Sequence, residues 1–265
     1  MPVETKRLIE SLELLAPLEL QAENDNSGWQ IDLGRHDISR ILVALEITPD
    51  VINEAKGKGA DLIITHHPLL YNPLGKVDVN APDTSGAFLA VLISAGISLY
   101  SAHTSFDAAQ WGMNYELARA FGLADVRGFP EPKRGEPAMG RKGILANPQP
   151  LGALVAHAEH IFGMPGRLRY IGDSATMIES IAICGGGAGE YVTSAIEEGV
   201  DLYITSDVKH HEAQWAKARD LALIDGGHWG TEWHFAPVVA AYLRKLFYRD
   251  AEVYASEVSA DPFDS

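Results

Sequence analysis

The chain has 265 residues, of which 46% are hydrophobic and 22% charged, the ordinary range for a globular protein. This composition excludes a disordered chain and a coiled coil, and the length allows one large domain or two medium ones. The formal net charge of −15 makes general nucleic-acid binding unfavourable, because an acidic surface repels phosphate backbones. The one cysteine, Cys184, excludes an internal disulfide and a cysteine-rich zinc site, and it suits a reducing cytoplasm.

We expect neither a signal peptide nor a transmembrane helix from this sequence. The N-terminal segment MPVETKRLIESLELL is interrupted by charges and lacks the continuous apolar region of a signal peptide. No stretch reaches the roughly 18 consecutive apolar residues that a transmembrane helix needs. We therefore expect a cytoplasmic protein that has no membrane partner.

The first half of the chain alternates between helical and strand patterns. Apolar spacing predicts helices over about 6–15, 49–58 and 84–95, and short apolar runs predict strands at 41–45, 61–65 and 97–101. Strands that are separated by helices predict a parallel sheet covered by helices, because parallel neighbours need a long crossover connection.

The second half repeats this alternation after a change of composition. Segment 125–150 is dense in proline, glycine and charge, which predicts a loop or a passage between domains. The patterns that follow predict helices over about 151–162, 190–198 and 211–219, and strands at 178–184, 202–204 and 221–224. We place a first α/β domain at 1–125 and a second at 126–265, and leave open whether the C-terminal segment packs back on the first.

The two halves share a short internal echo. Segment 61–65, DLIIT, matches segment 201–205, DLYIT, at four of five positions, and a histidine pair follows each of them, His66-His67 and His210-His211. Duplication of one α/β unit explains this echo. The alternative is that the motif is simply what a buried parallel strand looks like.

Candidate metal ligands follow three of the predicted strands. His66 and His67 come directly after the strand at 61–65, where open α/β sheets bind ligands. Neutral imidazole is the commonest metal ligand in proteins, so each of the two histidines can serve one metal of a paired site. The proline that follows them stiffens the turn.

Two further segments, 101–109 and 225–232, add carboxylates beyond strand ends. The carboxylate of Asp107 is able to bridge two cations, and His228 and Glu232 share one face if the chain is helical there. A nitrogen and oxygen donor set without thiolate suits Zn, Mn, Fe, Co or Ni. The alternative is that these side chains are hydrogen-bonded neighbours of a site or helix caps, with Asp107 capping a helix that begins near residue 108.

A series of motifs resembles one known family. THHP, HTSFDAA, GGGAGE, ITSDVKHH and DGGHWGTE occur in this order, after an early DNSGW element at 25–29. The series is similar to the hallmarks of the Nif-three-like family, named for a yeast NGG-interacting factor, whose bacterial members are labelled GTP cyclohydrolase I type 2 homologs. The likeness spans about residues 24–232.

The resemblance implies two similar α/β domains with a metal site in the cleft between them, and a toroidal homohexamer. It also implies two divalent metal ions per chain. The ligands that correspond to the family's are His66, His67, Asp107, His228 and Glu232. His103 belongs to the same motif, as a ligand or as a partner of one, and His211 matches a family histidine, whereas Ser206 stands where the family usually has glycine.

The function that this implies is hydrolysis by a dinuclear metal centre, with His103 or His211 moving protons. The substrate would be GTP, through ring opening of the cyclohydrolase type, or another phosphorylated small molecule. The alternative is a non-catalytic metal carrier or a ring-shaped interaction scaffold.

Two further features of the sequence have two interpretations each. The glycines at 185–189 either cradle a nucleotide phosphate or allow close packing of a strand and a helix. Trp229 and Trp233 either stack on a purine or pack beside the cleft.

Overall fold

The computed structural model describes residues 2–81, 84–132 and 136–263, and it confirms the predicted α/β class. The strands are β1 Val3–Glu4, β2 Gly28–Ile31, β3 Asp37–Ile38, β4 Arg40–Ala44, β5 Leu62–Thr65, β6 Ser98–Ser101, β7 Leu123–Phe129, β8 Gly140–Pro150, β9 Arg169–Ile171, β10 Met177–Ile183, β11 Leu202–Thr205, β12 Ala222–Asp225 and β13 Glu252–Ala255. The helices are α1 Thr5–Leu15, α2 Pro49–Lys58, α3 Ser85–Ala95, α4 Thr104–Ala108, α5 Met113–Ala120, α6 Leu151–Phe162, α7 Val192–Glu197, α8 His210–Ala218, α9 His228–Glu232 and α10 Phe235–Phe247.

The chain divides into two compact units. The first unit contains Met1–Phe106 and His234–Ala260, and the second contains Asp107–Trp233 and Asp261–Ser265. In the part of the chain that the structure describes, no helix is both long enough and apolar enough to cross a membrane.

The first unit is built on a five-stranded sheet in the order β13-β4-β5-β6-β2. The strands from β13 to β6 are parallel, and β2 closes the edge antiparallel to β6. The predicted parallel sheet is therefore confirmed for β4, β5 and β6. A helix crossover joins β4 to β5: Thr48 accepts the N–H of Val51 at the start of α2, and Gly59 ends it in the left-handed conformation at φ 64°.

The second unit contains a six-stranded sheet in the order β7-β8-β10-β11-β12-β9. Its centre, β10-β11-β12, is parallel, whereas β7, β8 and β9 pair antiparallel at the edges. Alternate residues of the central strands enter two different cores. Ile204 lies in one core with the residues of α6, and Tyr203 lies in the other with those of α7 and α8.

The two units share one strand pattern. In each, three parallel strands are followed by an antiparallel edge strand, β4-β5-β6-β2 in the first and β10-β11-β12-β9 in the second. The repeated segments DLIIT and DLYIT also correspond in structure. The aspartate that begins each of them accepts two backbone N–H groups. Asp61 accepts from Ser39 and Arg40, and Asp201 accepts from Glu179 and Ser180, at 2.8–3.0 Å. This shared bonding favours duplication.

The prediction of a loop over 125–150 is wrong for most of that segment. Most of it belongs to β7 and β8, which pair with each other, and β8 also pairs with β10. Proline and glycine are tolerated here because the pairing is irregular, with register shifts between Ala124 and Arg127 and between Ile178 and Ser180. Residues 133–135, within the predicted loop, lie outside the described residues.

Candidate metal centre

His66 and His67 lie directly beyond the end of β5, at the carboxyl edge of the first sheet. The N–H groups of both donate to the carbonyl of Leu45, at 3.0 and 2.9 Å. His66 is fully buried, and its Nδ1 lies 2.9 Å from the carbonyl of Ala102. Because a carbonyl oxygen only accepts, Nδ1 carries the proton, and Nε2 is the nitrogen whose lone pair would bind a metal.

His103 follows β6 and is held by an aspartate. Its Nδ1 lies 2.7 Å from Asp25 Oδ1, and Asp25 also accepts hydrogen bonds from Ser27 Oγ, Thr104 N and Thr104 Oγ1. Burial alone would raise the pKa of Asp25, but the hydrogen bonds from His103, Thr104 and Ser27 outweigh it and hold that pKa well below its usual range. An ionised Asp25 keeps the Nδ1–H tautomer of His103 and directs Nε2 away from it.

These three histidines form one cluster in the first unit. One ring nitrogen from each of His66, His67 and His103 lies within 4.8 Å of the others, a spacing that could hold a metal ion. The ring centroids are 5.1–5.7 Å apart. The ring of Phe235, at the start of α10, lies 5.1 Å from that of His66 and forms an apolar wall beside the cluster.

In the second unit, His228 and Glu232 lie one turn apart on α9, as predicted from their spacing. His228 Nε2 is 3.2 Å from Glu232 Oε2, and Glu232 is buried. On the other side of the ring, His228 Nδ1 lies 2.7 Å from Asp207 Oδ2, so a carboxylate orients this histidine as Asp25 orients His103.

The glycines between β10 and α7 leave room for carboxylates. A Cβ on Gly186 would overlap Glu232 Oε1, and one on Gly189 would overlap Glu212 Oε2, in both cases well under 3.0 Å. A Cβ on Gly187 would lie 3.2 Å from Asp207 Oδ2. These acidic neighbours disfavour a phosphate and support the close-packing alternative for this stretch.

Asp107 lies inside α4 and is half-buried. The alternative that it caps a helix beginning near residue 108 is wrong, because α5 begins at Met113 after Gly112. Asp107 has a buried charged neighbour in Arg141, whose guanidinium bonds the carbonyls of Ala108 and Ala109. Burial, together with the charge of Asp107, raises the pKa of the Cys184 thiol, so this cysteine is a small core residue and not a nucleophile.

The remaining predicted residues lie on the second unit. His211 is exposed on α8, where its ring contacts Trp215 at 4.9 Å between centroids. Ser206 is buried, and its hydroxyl has no hydrogen-bond partner among the described residues. Its φ is not positive; the residue of this turn that has a positive φ is Asp207. Trp229 and Trp233 stack on each other at 6.3 Å, and Trp229 packs against a core cluster, which favours packing over purine binding.

Three residues around the candidate ligands were not assigned a role from the sequence: Asp25, Asp207 and Arg141. Each acts through a contact between residues that are far apart in the chain. Asp25 lies 78 positions from His103, and Asp207 lies 21 positions from His228. The early DNSGW element was a signal for Asp25 only through resemblance.

Comparison with known proteins supports the motif resemblance. The model of the family described as Duf34/NIF3 (NGG1p interacting factor 3) matches residues 3–262. Proteins named "GTP cyclohydrolase 1 type 2 homolog" from Streptomyces coelicolor and Clostridium perfringens are each 33% identical, covering 97% of this chain and 92% and 97% of their own lengths. A Bacillus cereus protein related to NIF3 has a similar fold, with a TM-score of 0.89 at 22% identity, covering 100% of this chain and 99% of its own.

Proposed function

The chain belongs to the Duf34/NIF3 family, and from this premise we propose that it is a hydrolase that depends on two divalent metal ions. Its substrate would be GTP, opened by cyclohydrolase-type hydrolysis, or another phosphorylated small molecule. The name of the Streptomyces coelicolor and Clostridium perfringens relatives supports the first of these. The observation that carries the proposal is the histidine cluster of the first unit, whose ligand nitrogens lie within 4.8 Å of one another.

We assign metal binding to five side chains: His66, His67, Asp107, His228 and Glu232. The donor chemistry fits Zn, Mn, Fe, Co or Ni, because it combines imidazole nitrogen and carboxylate oxygen without thiolate. His66 and His228 are already oriented by bonds at Nδ1, to a carbonyl and to a carboxylate, as metal-binding histidines in proteins usually are.

Bound divalent ions would activate water for attack and polarise a carbonyl or phosphoryl oxygen of the substrate. The chain's own residues would move the protons. We assign that role to His103, whose proton-exchanging atom is Nε2 because Asp25 binds Nδ1, and to His211, which is exposed on α8.

A second candidate function is a non-catalytic metal carrier or ring-shaped scaffold. One observation favours it: the glycine stretch, the best phosphate-binding candidate in the sequence, lies against Glu232, Glu212 and Asp207. A site walled by carboxylates suits a cation better than a nucleotide phosphate. By family resemblance we also propose a homohexamer, and the single buried cysteine supports a cytoplasmic location.

The decisive experiment measures metal content per chain by plasma mass spectrometry on tag-free protein purified without chelator. We expect about two metal ions in the wild-type chain and far fewer in an Asp107→Asn, Glu232→Gln double variant. Asp220→Asn and His36→Ala, at exposed residues outside the proposed ligand set, are the controls and should retain both metals. A wild-type chain that holds almost no metal and gains none when Zn or Mn is added would overturn the assignment.

Turnover separates the two functions. We expect metal-loaded wild-type protein to hydrolyse GTP or a member of a phosphoester panel, and the double variant to lose this activity. Full metal occupancy without turnover of any of these compounds would favour the carrier or scaffold and contradict the hydrolase. Undiminished turnover in Glu232→Gln alone would contradict the role of that carboxylate.

A further inference from the structure

Arg141, near the start of β8, is buried with only 7% of its surface exposed. Burying a guanidinium is unfavourable unless its N–H groups are bonded and its charge is compensated. Nη1 donates to the carbonyls of Ala138 and Gly140, at 3.1 and 2.8 Å, and Nη2 donates to those of Ala108 and Ala109, at 2.8 and 2.5 Å. The side chain therefore joins the start of β8 to the segment that directly follows Asp107.

That segment needs such a partner. Ala108 is the last residue of α4, a helix of five residues, and the final carbonyls of a helix have no partner within it. A cation at this end also interacts favourably with the partial negative charge of the carbonyls. Arginine fits better than lysine, because its planar fork presents several N–H groups in fixed directions.

The charge of Asp107 acts on the same guanidinium. Burial lowers the pKa of Arg141, whereas the neighbouring Cys184 and the Asp107 carboxylate raise it. Since Cys184 is buried and its own pKa is raised, the negative charge that compensates Arg141 here comes from Asp107. Arg141 is thus coupled to Asp107 through the backbone that follows it and through electrostatics.

Asn114, on α5, holds the surroundings of this segment from a second side. Its Nδ2 donates to the carbonyl of Met139 at 2.8 Å, and its Oδ1 accepts the N–H of Gly185 at 2.7 Å. It is fully buried. These bonds link Met139, two residues before Arg141, to Gly185. The backbone next to Arg141 is therefore held by Asn114 as well as by the bonds of Arg141 itself.

We propose that Arg141 is a positioning residue that sets the direction of the Asp107 carboxylate by holding the carbonyls of Ala108 and Ala109. The consequence for metal affinity rests on the proposed function, in which Asp107 is a ligand. The fixing of the backbone by Arg141 does not rest on the proposed function, because it is a property of the metal-free chain. The two parts can therefore be tested separately.

The first test is hydrogen exchange of metal-free protein over residues 107–113, where the N–H of Gly112 donates to the carbonyl of Ala109 at 3.1 Å. Arg141→Lys keeps the charge but loses the planar guanidinium group, and Arg141→Met removes both the charge and the hydrogen-bond donors. We expect exchange in this segment to rise about tenfold or more in both variants, because the carbonyls lose their partner. Arg119→Met, at an exposed arginine of α5, is the control that should leave exchange unchanged. Leu154→Ala, a buried core substitution in α6, is the control for lost stability and should raise exchange in this segment less than either Arg141 variant does.

The second test is titration of each variant with Zn or Mn. Loss of an orienting partner typically weakens metal binding about 10- to 100-fold, and we expect this for Arg141→Met, with a smaller loss for Arg141→Lys. Leu154→Ala should lose stability without losing affinity. Arg141→Lys retains the buried charge and keeps the test possible if Arg141→Met does not fold.

The outcomes separate the two proposals. Equal exchange and equal affinity in Arg141→Lys and Leu154→Ala would overturn the positioning role, as would faster exchange without any loss of affinity in a protein that binds metal. A wild-type protein that binds no metal would refute the proposed function. The exchange measurement would then still decide whether Arg141 fixes the segment after Asp107.

Discussion

His228 Nδ1 lies 2.7 Å from Asp207 Oδ2, and this contact joins the turn after β11 to the start of α9. Asp207 adopts a left-handed backbone conformation, with φ at 54°, which aspartate tolerates better than most residues. The carboxylate fixes the proton on Nδ1 and leaves Nε2 as the nitrogen that faces Glu232, at 3.2 Å. The same relation holds between Asp25 and His103 in the first unit.

Replacing Asp207 should weaken metal binding without unfolding the protein. We expect Asp207→Gly to raise the dissociation constant for Zn about 10- to 100-fold, because His228 loses the partner that orients it. Isothermal titration of metal-free protein measures this directly.

Asp220 provides a matched control for that substitution, because its φ is also 54°. Both Asp207→Gly and Asp220→Gly relieve the same backbone strain, but only the first removes a histidine partner. Unchanged affinity in Asp207→Gly, or an equal loss in Asp220→Gly, would show that the carboxylate does not orient a ligand.

Gly186→Ala should disrupt the second unit at Glu232. The added Cβ would collide with Glu232 Oε1, and φ at +67° is unfavourable for alanine. We expect a loss of about 1–3 kcal/mol in the free energy of unfolding, mostly from backbone strain because Oε1 is the end of a flexible side chain, and a loss of bound metal because the carboxylate is displaced. Urea unfolding and metal content measure the two effects.

Gly199→Ala is the control for backbone strain alone. Gly199 has φ at +66°, and a Cβ there would meet nothing within 4 Å. We expect it to cost about 1–2 kcal/mol and to leave metal content unchanged. Equal metal content in the two variants would mean that the space beside Glu232 is not needed.

Asp25 should contribute stability that depends on pH. Because its folded-state pKa is lowered, the contribution is present above the ordinary value of about 3.9 and is lost as the pH falls through the lower folded value. We expect Asp25→Asn to be less stable than the wild-type protein by about 1–3 kcal/mol at neutral pH, and this difference to shrink in acid.

Urea unfolding of metal-free protein at a series of pH values from neutral to about 2 tests this expectation. Asp32→Asn, at an exposed residue after β2, is the control and should change the unfolding free energy by less than about 0.5 kcal/mol. A difference between wild type and Asp25→Asn that stays constant with pH would contradict the hydrogen-bonded, ionised state of Asp25.

The repeated aspartates should have similar roles in the two units. Asp61 and Asp201 each accept two backbone N–H groups from the neighbouring strand, so we expect Asp61→Ala and Asp201→Ala each to cost about 0.5–1.5 kcal/mol. Glu197→Ala, at an exposed residue of α7, should cost almost nothing. Denaturant unfolding would contradict equivalence if one aspartate were neutral and the other were not.

Local sequence patterns were sufficient for the alternation of strands and helices. Helix α6 spans Leu151–Phe162, as its apolar spacing predicts, and β5 and β11 lie on the two DLxIT motifs. The loop prediction for 125–150 is wrong because antiparallel pairing of β8 with β10 overrides the turn preference of the prolines and glycines in this segment. The pairing of β13 with β4 joins two segments that lie far apart in the chain and that no local pattern relates.

The sequence by itself determined the family, through its series of motifs, and the α/β class, because the apolar spacing of strands and helices is a local property that periodicity reveals. The same local patterns place the candidate ligands beyond strand ends. Only the tertiary structure decided which groups hold the residues of the candidate site and the backbone beside them. Asp25 reaches His103 across 78 residues, and Arg141 reaches Ala108 across 33. Such contacts depend on how strands and helices pack, so they have no periodic signature in the chain.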